Sequence, residues 1–269
     1  LRQATRKFAA GDLSTRIGGQ IKGKNELAEL ADDFDEMAGK IETLIGAQKN
    51  LLRDISHELR SPLTRLGIAL ELVRQPGDAE TKSKALARIE LEAERMNEMI
   101  GQLLNLTRLE SGVQELQFQK FNLRPLLENL VADANYEAKA HQSQVVLTAP
   151  DAAVYFGAEE LLAQALENVI RNAVKYTAEG SVVSVDLLVT AEALTIRVAD
   201  QGSGVPAESL PKLFEPFYRV AAARDRQTGG AGIGLAIAER AVKLHSGSIT
   251  ASNRSEGGLL LEISLPIES

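Results

Sequence analysis

The sequence predicts a multidomain chain, all-α at its front and α/β at its back. Three observations predict it. Apolar residues at heptad spacing run through the first part, at Leu27, Leu30, Phe34, Met37, Ile41 and Leu44, which is the seam of a coiled coil. After Ser111-Gly112 the pattern changes to short apolar stretches that alternate with helical ones, as in a mixed α/β domain. The length of 269 residues accommodates about two ordinary domains, and the 44% hydrophobic and 25% charged content is that of a chain with a packed core.

Composition also excludes. The net charge is −7 and no lysine or arginine run occurs, which argues against nucleic acid or an anionic membrane as the main partner. The absence of cysteine removes disulfides, thiolate chemistry and Cys-type zinc sites. No apolar run approaches the ~20 residues of a membrane-spanning helix, and no signal peptide is present. The chain opens on Leu1 rather than methionine, so it reads as a piece of a longer protein.

In order along the chain, residues 1–17 read as a short helix with Leu1, Thr5 and Phe8 on one stripe, broken at Gly11-Asp12. Residues 18–25 are a glycine-rich connector. One helix is then expected from about 26 to 75. Its seam continues at Leu51, Ile55, Leu59 and Leu63 in steps of four, a stutter that locally unwinds a supercoil. Gln75-Pro76-Gly77-Asp78 is turn chemistry. A second amphipathic helix follows, with Leu86, Ile89, Ala93, Met96, Ile100, Leu103 and Thr107 at 3 and 4 spacing. One helical hairpin has too little core to stand alone; two of them make a four-helix bundle, so a homodimer is expected. Residues 110–113 are a hinge. Behind it, strands are expected at 145–149, 182–189, 194–199, 247–252 and 258–266, with helices near 122–141, 158–175 and 233–245.

Four constellations carry chemistry. In His57-Glu58, the histidine lies two residues from both Ile55 and Leu59, about 200° round the helix, so His57 faces away from the seam. A neutral ring nitrogen is a nucleophile and Glu58 is placed to take its proton, though a His-Glu pair alone is more often merely solvated. A zinc site of the H-E-x-x-H type is excluded by Ser61. Asn168, Asn172 and Lys175 or Tyr176 share one helix face opposite Leu162, Leu166, Val169 and Ala173. Such a face suits a magnesium-bound nucleotide, and equally an exposed polar surface. Asp200-Gln201-Gly202-Ser203-Gly204 follows an apolar strand. Its carboxylate could accept from an exocyclic amino group, or the run is a simple strand-ending turn. Gly229-Gly230-Ala231-Gly232-Ile233-Gly234-Leu235 opens a helix, which is either a phosphate site or a flexible loop. It is neither a P-loop nor a dinucleotide fingerprint. Between the last two, Phe214-Glu215-Pro216-Phe217-Tyr218-Arg219 leads into a segment rich in alanine and arginine that suits a lid, with Arg219, Arg224 and Arg226 as candidate phosphate contacts.

Taken in order, these runs resemble the sensor histidine kinases of two-component signalling. Residues 56–62 look like the family's H box, 168–176 its N box, 200–204 its G1 box, 214–217 its F box and 230–235 its G2 box. Ala10-Gly11-Asp12-Leu13 and Asn25-Glu26-Leu27 look like a HAMP relay. The runs at 53–60 and 223–230 look most like the envelope-stress Cpx-type sensors. The resemblance implies a HAMP relay at 1–46, a dimerising phosphotransfer hairpin at 47–112 and an α/β-sandwich, Bergerat-type ATP-binding domain at 113–269. It implies that His57 takes the γ-phosphoryl of ATP with Glu58 as acid–base partner. Asp200 would read adenine, Asn172, supported by Asn168, would hold Mg²⁺, and Lys175, Tyr176, Tyr218, Arg219 and Leu235 would line the nucleotide. Gly202, Gly204, Gly230, Gly232 and Gly234 would shape the lid edges. The phosphoryl group would pass to an aspartate of a response regulator, which the kinase would also dephosphorylate. The family position for that last step often holds threonine or asparagine; here Ser61 keeps the hydroxyl and loses the methyl. Asn25 stands where the family often has aspartate. The resemblance further implies a bacterial inner-membrane receptor of which this is the cytoplasmic portion. The alternative is a Bergerat-fold ATPase without histidine phosphorylation, or a coiled-coil adaptor that binds no nucleotide.

Overall fold

The architecture is that of a computed structural model, which describes residues 2–17, 26–76, 78–111, 116–139, 142–220 and 230–267. Contacts divide the chain into two units, Leu1–Thr64 and Arg65–Ser269. The connector 18–25 with Asn25, the linker residues 112–115, the lid residues Arg224, Arg226 and Gly229, and the side chains of Leu27, Leu44 and Leu51 lie outside the described residues.

In the first unit, helix α1 (Arg2–Ala9) stops two residues before Gly11, whose φ of 101° ends it. Helix α2 (Glu26–Arg74) is unbroken over 49 residues and takes Pro62 into its interior. Phe8 of α1 meets Phe34 of α2 edge to face at 5.7 Å. The segment after α1 is pinned where the Ile17 amide donates to Asp35 Oδ1 at 2.7 Å, with the Ile17 side chain buried. The residues enclosed here are Ala31 and Ala38, whereas Leu30 and Met37, one position earlier, stay exposed. Of the seam read from the sequence, Phe34 therefore closes against α1 within the chain, and Leu30 and Met37 do not.

The second unit begins inside α2. Asp78 caps helix α3 (Ala79–Ser111), accepting from the Thr81 amide at 2.6 Å. The hairpin formed by α2 and α3 encloses a charge. Glu92 is fully covered, pairing with Arg65 and Arg88 at 2.8 Å each and with Arg95 at 3.6 Å. The Arg65 hydrogen bond, reinforced by the three positive charges, holds the Glu92 carboxyl below the usual glutamate range against the opposing effect of burial. Of the apolar positions read along α3, Leu86 and Ile100 remain exposed.

The α/β part is a two-layer arrangement. A five-stranded sheet has the order β2-β4-β5-β7-β6, built from β2 (Gln144–Thr148), β4 (Val182–Val189), β5 (Ala193–Ala199), β6 (Ser248–Asn253) and β7 (Leu259–Pro266). The β2–β4 pair is parallel and the others are antiparallel. Alternation puts Val183, Val185 and Leu187, Leu194, Ile196 and Val198, and Leu261, Ile263 and Leu265 on one buried face. Helices α4 (Leu123–Ala138), α5 (Glu159–Tyr176) and α6 (Gly234–Leu244) cover it. The predicted inner face of α5, Leu162, Leu166, Val169 and Ala173, is buried.

Two four-residue strands were not expected, β1 (Gln119–Asn122) and β3 (Val154–Gly157), which pair antiparallel beside the main sheet. Asn122 joins them to α4. Its Oδ1 accepts from the Arg124 amide and from the Ala153 amide, capping the helix and fixing the loop with one oxygen.

Candidate nucleotide site

His57, Glu58 and Ser61 lie on α2 in the first unit. His57 and Ser61 are exposed, Glu58, Ile55 and Leu59 are half-buried, and Pro62 is buried. The outward direction expected for His57 is the one observed.

In the second unit a cavity of about 760 Å³ opens between α5, the β5 end and the start of α6. Among the described residues, every one expected at the nucleotide lines it, and Arg224 and Arg226 lie outside them. Asn168, Asn172, Lys175 and Tyr176 come from the polar face of α5, and Asp200, Gly202 and Gly204 from the turn after β5. Tyr218 and Arg219 come from the segment before the lid, and Gly230, Gly232, Gly234 and Leu235 from the run that enters α6. Residues separated by as much as a quarter of the chain thus face one space because α5 and α6 pack side by side under the sheet.

Close approaches explain the glycines. A Cβ on Gly202 would overlap the Tyr176 carbonyl oxygen, and one on Gly234 would lie 2.8 Å from Asn168 Oδ1. Asn168 itself is oriented by donation from Nδ2 to the Gln164 carbonyl at 2.9 Å. Gly232, at φ 75°, accepts on its carbonyl from the Phe217 amide at 2.9 Å. Tyr218 donates its hydroxyl to Ser209 Oγ at 2.9 Å.

The electrostatics fit a phosphorylated purine. Asp200 is a buried carboxylate whose Oδ1 accepts from the amides of Gly202 at 2.8 Å and Leu259 at 3.1 Å. Burial pushes its pKa up, while those two amides and the Arg254 charge oppose that rise. Lys175 sits 5.1 Å from the Tyr176 ring centroid. Burial, then the charges of Arg219 and Arg171, bring its pKa down to about 8. The described residues hold no cluster of three or more carboxylates, histidines or cysteines able to cage a metal. Magnesium does not need one: it binds through one or two protein oxygens and completes its shell with phosphates and water. The Asn172 amide, which has no protein partner among the described residues, is such a donor.

Several lining residues escaped the sequence reading. Arg95, Glu98, Gly101 and Gln102 of α3 form one wall. Asn105 Nδ2 donates to Gln164 Oε1 at 2.9 Å and Arg240 Nε to the Leu109 carbonyl at 3.2 Å, holding that wall beside α5 and α6. Their spacing on α3 matches any solvated helix face, so nothing local marks them. His245, which does not line the cavity, also escaped the sequence reading. Nε2 accepts from the Ala158 amide at 2.9 Å while Nδ1 donates to the Ala241 carbonyl at 2.8 Å, so one buried ring joins the start of α5 to the end of α6. Burial lowers its pKa, more than the Ala241 bond raises it.

A sheet backed by helices, with an asparagine-bearing helix and a glycine-rich run facing one cavity, defines a nucleotide-binding domain. Residues 157–269 match the family of histidine kinase-, DNA gyrase B- and HSP90-like ATPases. Residues 47–112 match the His Kinase A (phospho-acceptor) domain, and residues 1–43 the HAMP domain. The sensor histidine kinase CpxA of Escherichia coli strain K12 is 37% identical over 246 residues, covering 91% of this chain and 52% of CpxA. The chain belongs to the sensor histidine kinases, and it spans about half the length of the curated relative it matches. Among solved structures, histidine kinase ThkA in complex with response regulator protein TrrA superposes with a TM-score of 0.69 at 21% identity, over 88% of this chain and 66% of that one, and shares the fold. Full-length ShkA in complex with AMPPNP gives 0.60 at 25% identity, over 82% of this chain and 46% of that one.

Proposed function

We propose that the chain is a protein-histidine kinase that phosphorylates His57 from ATP and passes the phosphoryl group to an aspartate of a response regulator. The observation that carries this is the single cavity gathering Asn168, Asn172, Lys175, Asp200 and the glycine run of a chain that also presents an exposed His57 beside Glu58. Asp200 accepts from the adenine amino group. Lys175 and Arg219 meet phosphate, and Asn172 holds Mg²⁺, which when bound neutralises phosphate charge. A ring nitrogen of His57 attacks the γ-phosphorus, the N–P bond forms as the bond to the ADP oxygen breaks, and Glu58 takes the proton from the other ring nitrogen. Ser61, one turn beyond His57, orients water for dephosphorylation of the regulator. ThkA was solved with a response regulator and ShkA with an ATP analogue; the same two classes of partner are proposed here.

The protein acts as a homodimer. Leu63, Ile68, Leu72, Leu86 and Leu104 are exposed along α2 and α3, and two hairpins would cover such residues in a four-helix bundle. Residues 1–46 serve as relay, 47–112 as phosphotransfer hairpin and 113–269 as ATP-binding domain. Among the described residues no helix is long and apolar enough to cross a membrane. The HAMP match supports a membrane-anchored sensor whose cytoplasmic portion is this chain.

Incubation with Mg²⁺ and γ-labelled ATP tests the reading. Acid-labile label on the wild-type chain, absent from His57→Gln, is expected. Label that persists in His57→Gln refutes it, and release of free phosphate with no labelled protein favours a bare ATPase.

A further inference from the structure

The turn between β6 and β7 holds the base end of the cavity from below, through contacts that no nucleotide motif contains. Asn253, the last residue of β6, closes a ring on one backbone unit: Oδ1 accepts from the Val205 amide at 2.9 Å and Nδ2 donates to the Val205 carbonyl at 2.7 Å. Val205 lines the cavity directly after Gly204. Gly204, at φ 66°, has no side chain in the way; a Cβ there would lie 2.7 Å from Asn253 Oδ1. Arg254 reaches the other end of the same loop, donating from Nη1 to the Asp200 carbonyl at 2.7 Å. Gly258 lets the turn come close enough to do so, since a Cβ on it would overlap that carbonyl oxygen. Leu259 then gives its amide to Asp200 Oδ1 and takes the Asp200 amide on its own carbonyl at 3.0 Å.

Asp200 and Val205 are thereby clamped at the two ends of a six-residue span by two adjacent side chains. Asp200 Oδ1 is committed to two backbone amides, so Oδ2 is the oxygen left for a ligand. A carboxylate oxygen only accepts. It bonds a 6-amino purine and repels the 6-oxo group of guanine, and that preference holds only while the oxygen is fixed in place. The charge of Arg254 also favours the ionised carboxylate.

We propose that Asn253 and Arg254 are positioning residues for nucleobase selectivity, holding the Asp200–Val205 loop so that the site takes 6-amino over 6-oxo purine nucleotides. This rests on the reading that Asp200 meets adenine.

The test is calorimetric titration of the full 269-residue chain with Mg²⁺ and non-hydrolysable ATP and GTP analogues. Asn253→Ala and Arg254→Met are expected to weaken the ATP analogue by roughly three- to tenfold, the worth of a lost hydrogen bond. Binding of the GTP analogue should not change, so the selectivity ratio falls by the same factor. Arg254→Lys, which keeps a donor and the charge, should recover part of the ratio. Asp200→Asn is the reference and should lose the ratio entirely. Equal weakening of both analogues, or a lower melting temperature with an unchanged ratio, would show a purely structural role and overturn the proposal. If Asp200→Asn abolishes selectivity while Asn253→Ala and Arg254→Met keep it, this inference fails and the adenine reading stands. If Asp200→Asn binds the ATP analogue like wild type, both fail.

Discussion

The proposed phosphate contact of Lys175 predicts that nucleotide affinity depends on pH in a window where few side chains titrate. Its pKa of about 8 arises first from burial and then from the positive charges of Arg219 and Arg171. At pH 7 about nine in ten Lys175 side chains carry the proton, and at pH 9 about one in ten. Bound phosphate brings negative charge that holds the proton on, so binding above pH 8 requires proton uptake. Affinity should fall by about tenfold between pH 7 and pH 9, a value limited by the partial solvent access of the ammonium. The assay is titration of a non-hydrolysable ATP analogue with Mg²⁺ at pH 7, 8 and 9, in two buffers of different ionisation enthalpy, which reads the proton uptake directly. Lys175→Met should bind about ten- to a hundredfold more weakly at pH 7, the worth of a charge-assisted hydrogen bond, and show no slope. A wild-type affinity constant from pH 7 to 9, or a slope that survives in Lys175→Met, refutes the assignment.

Other outcomes follow from the same geometry. Gly202→Ala places a methyl on the Tyr176 carbonyl oxygen; it should cost about 1–3 kcal/mol in urea unfolding and abolish nucleotide binding, and wild-type binding would contradict the close approach. His245 has a lowered folded pKa, so its contribution is complete above the unfolded histidine value and is lost as pH falls below it, when the unfolded chain takes the proton first. Urea midpoints of the wild type should decline from pH 7 to 5 more steeply than those of His245→Gln, and parallel declines would remove His245 from the account. Glu92→Ala removes the carboxylate that Arg65, Arg88 and Arg95 share. Because each is more than a third exposed and can swing to water, the loss should be about 1–2 kcal/mol rather than that of a sealed pair, read as a lower melting temperature.

The parts of the molecule legible in the sequence are those with a period. The strands β4, β5 and β7 were legible because each alternates over seven or eight residues. The strands β1 and β3 have four residues each, Phe121 among polar neighbours in one and the adjacent Tyr155 and Phe156 in the other, too short for a period to emerge. The heptad count on α2 found a real stripe but not its partner. Spacing says that Leu30 and Met37 share a face; it does not say whether that face meets α1 or another chain, and Ala31 and Ala38 proved to be the enclosed pair. The cavity was legible because glycines, asparagines and an aspartate mark it chemically. Asn253, Arg254 and His245 act through tertiary contacts 48 to 87 residues away along the chain, which no local spacing encodes.

Pro62 has one consequence for the helix beside His57. Proline carries no amide hydrogen, so in α2 the carbonyl of Glu58 loses the rung that would normally arrive from four residues ahead. The backbone next to the proposed phosphorylated residue therefore presents an acceptor of its own, open to water or to a donor on a docked protein. The ladder is already one bond short there, so loosening that turn breaks one bond fewer than loosening any other interior turn of α2. Amide exchange measured along α2 should locate its fastest interior opening at Glu58 to Pro62.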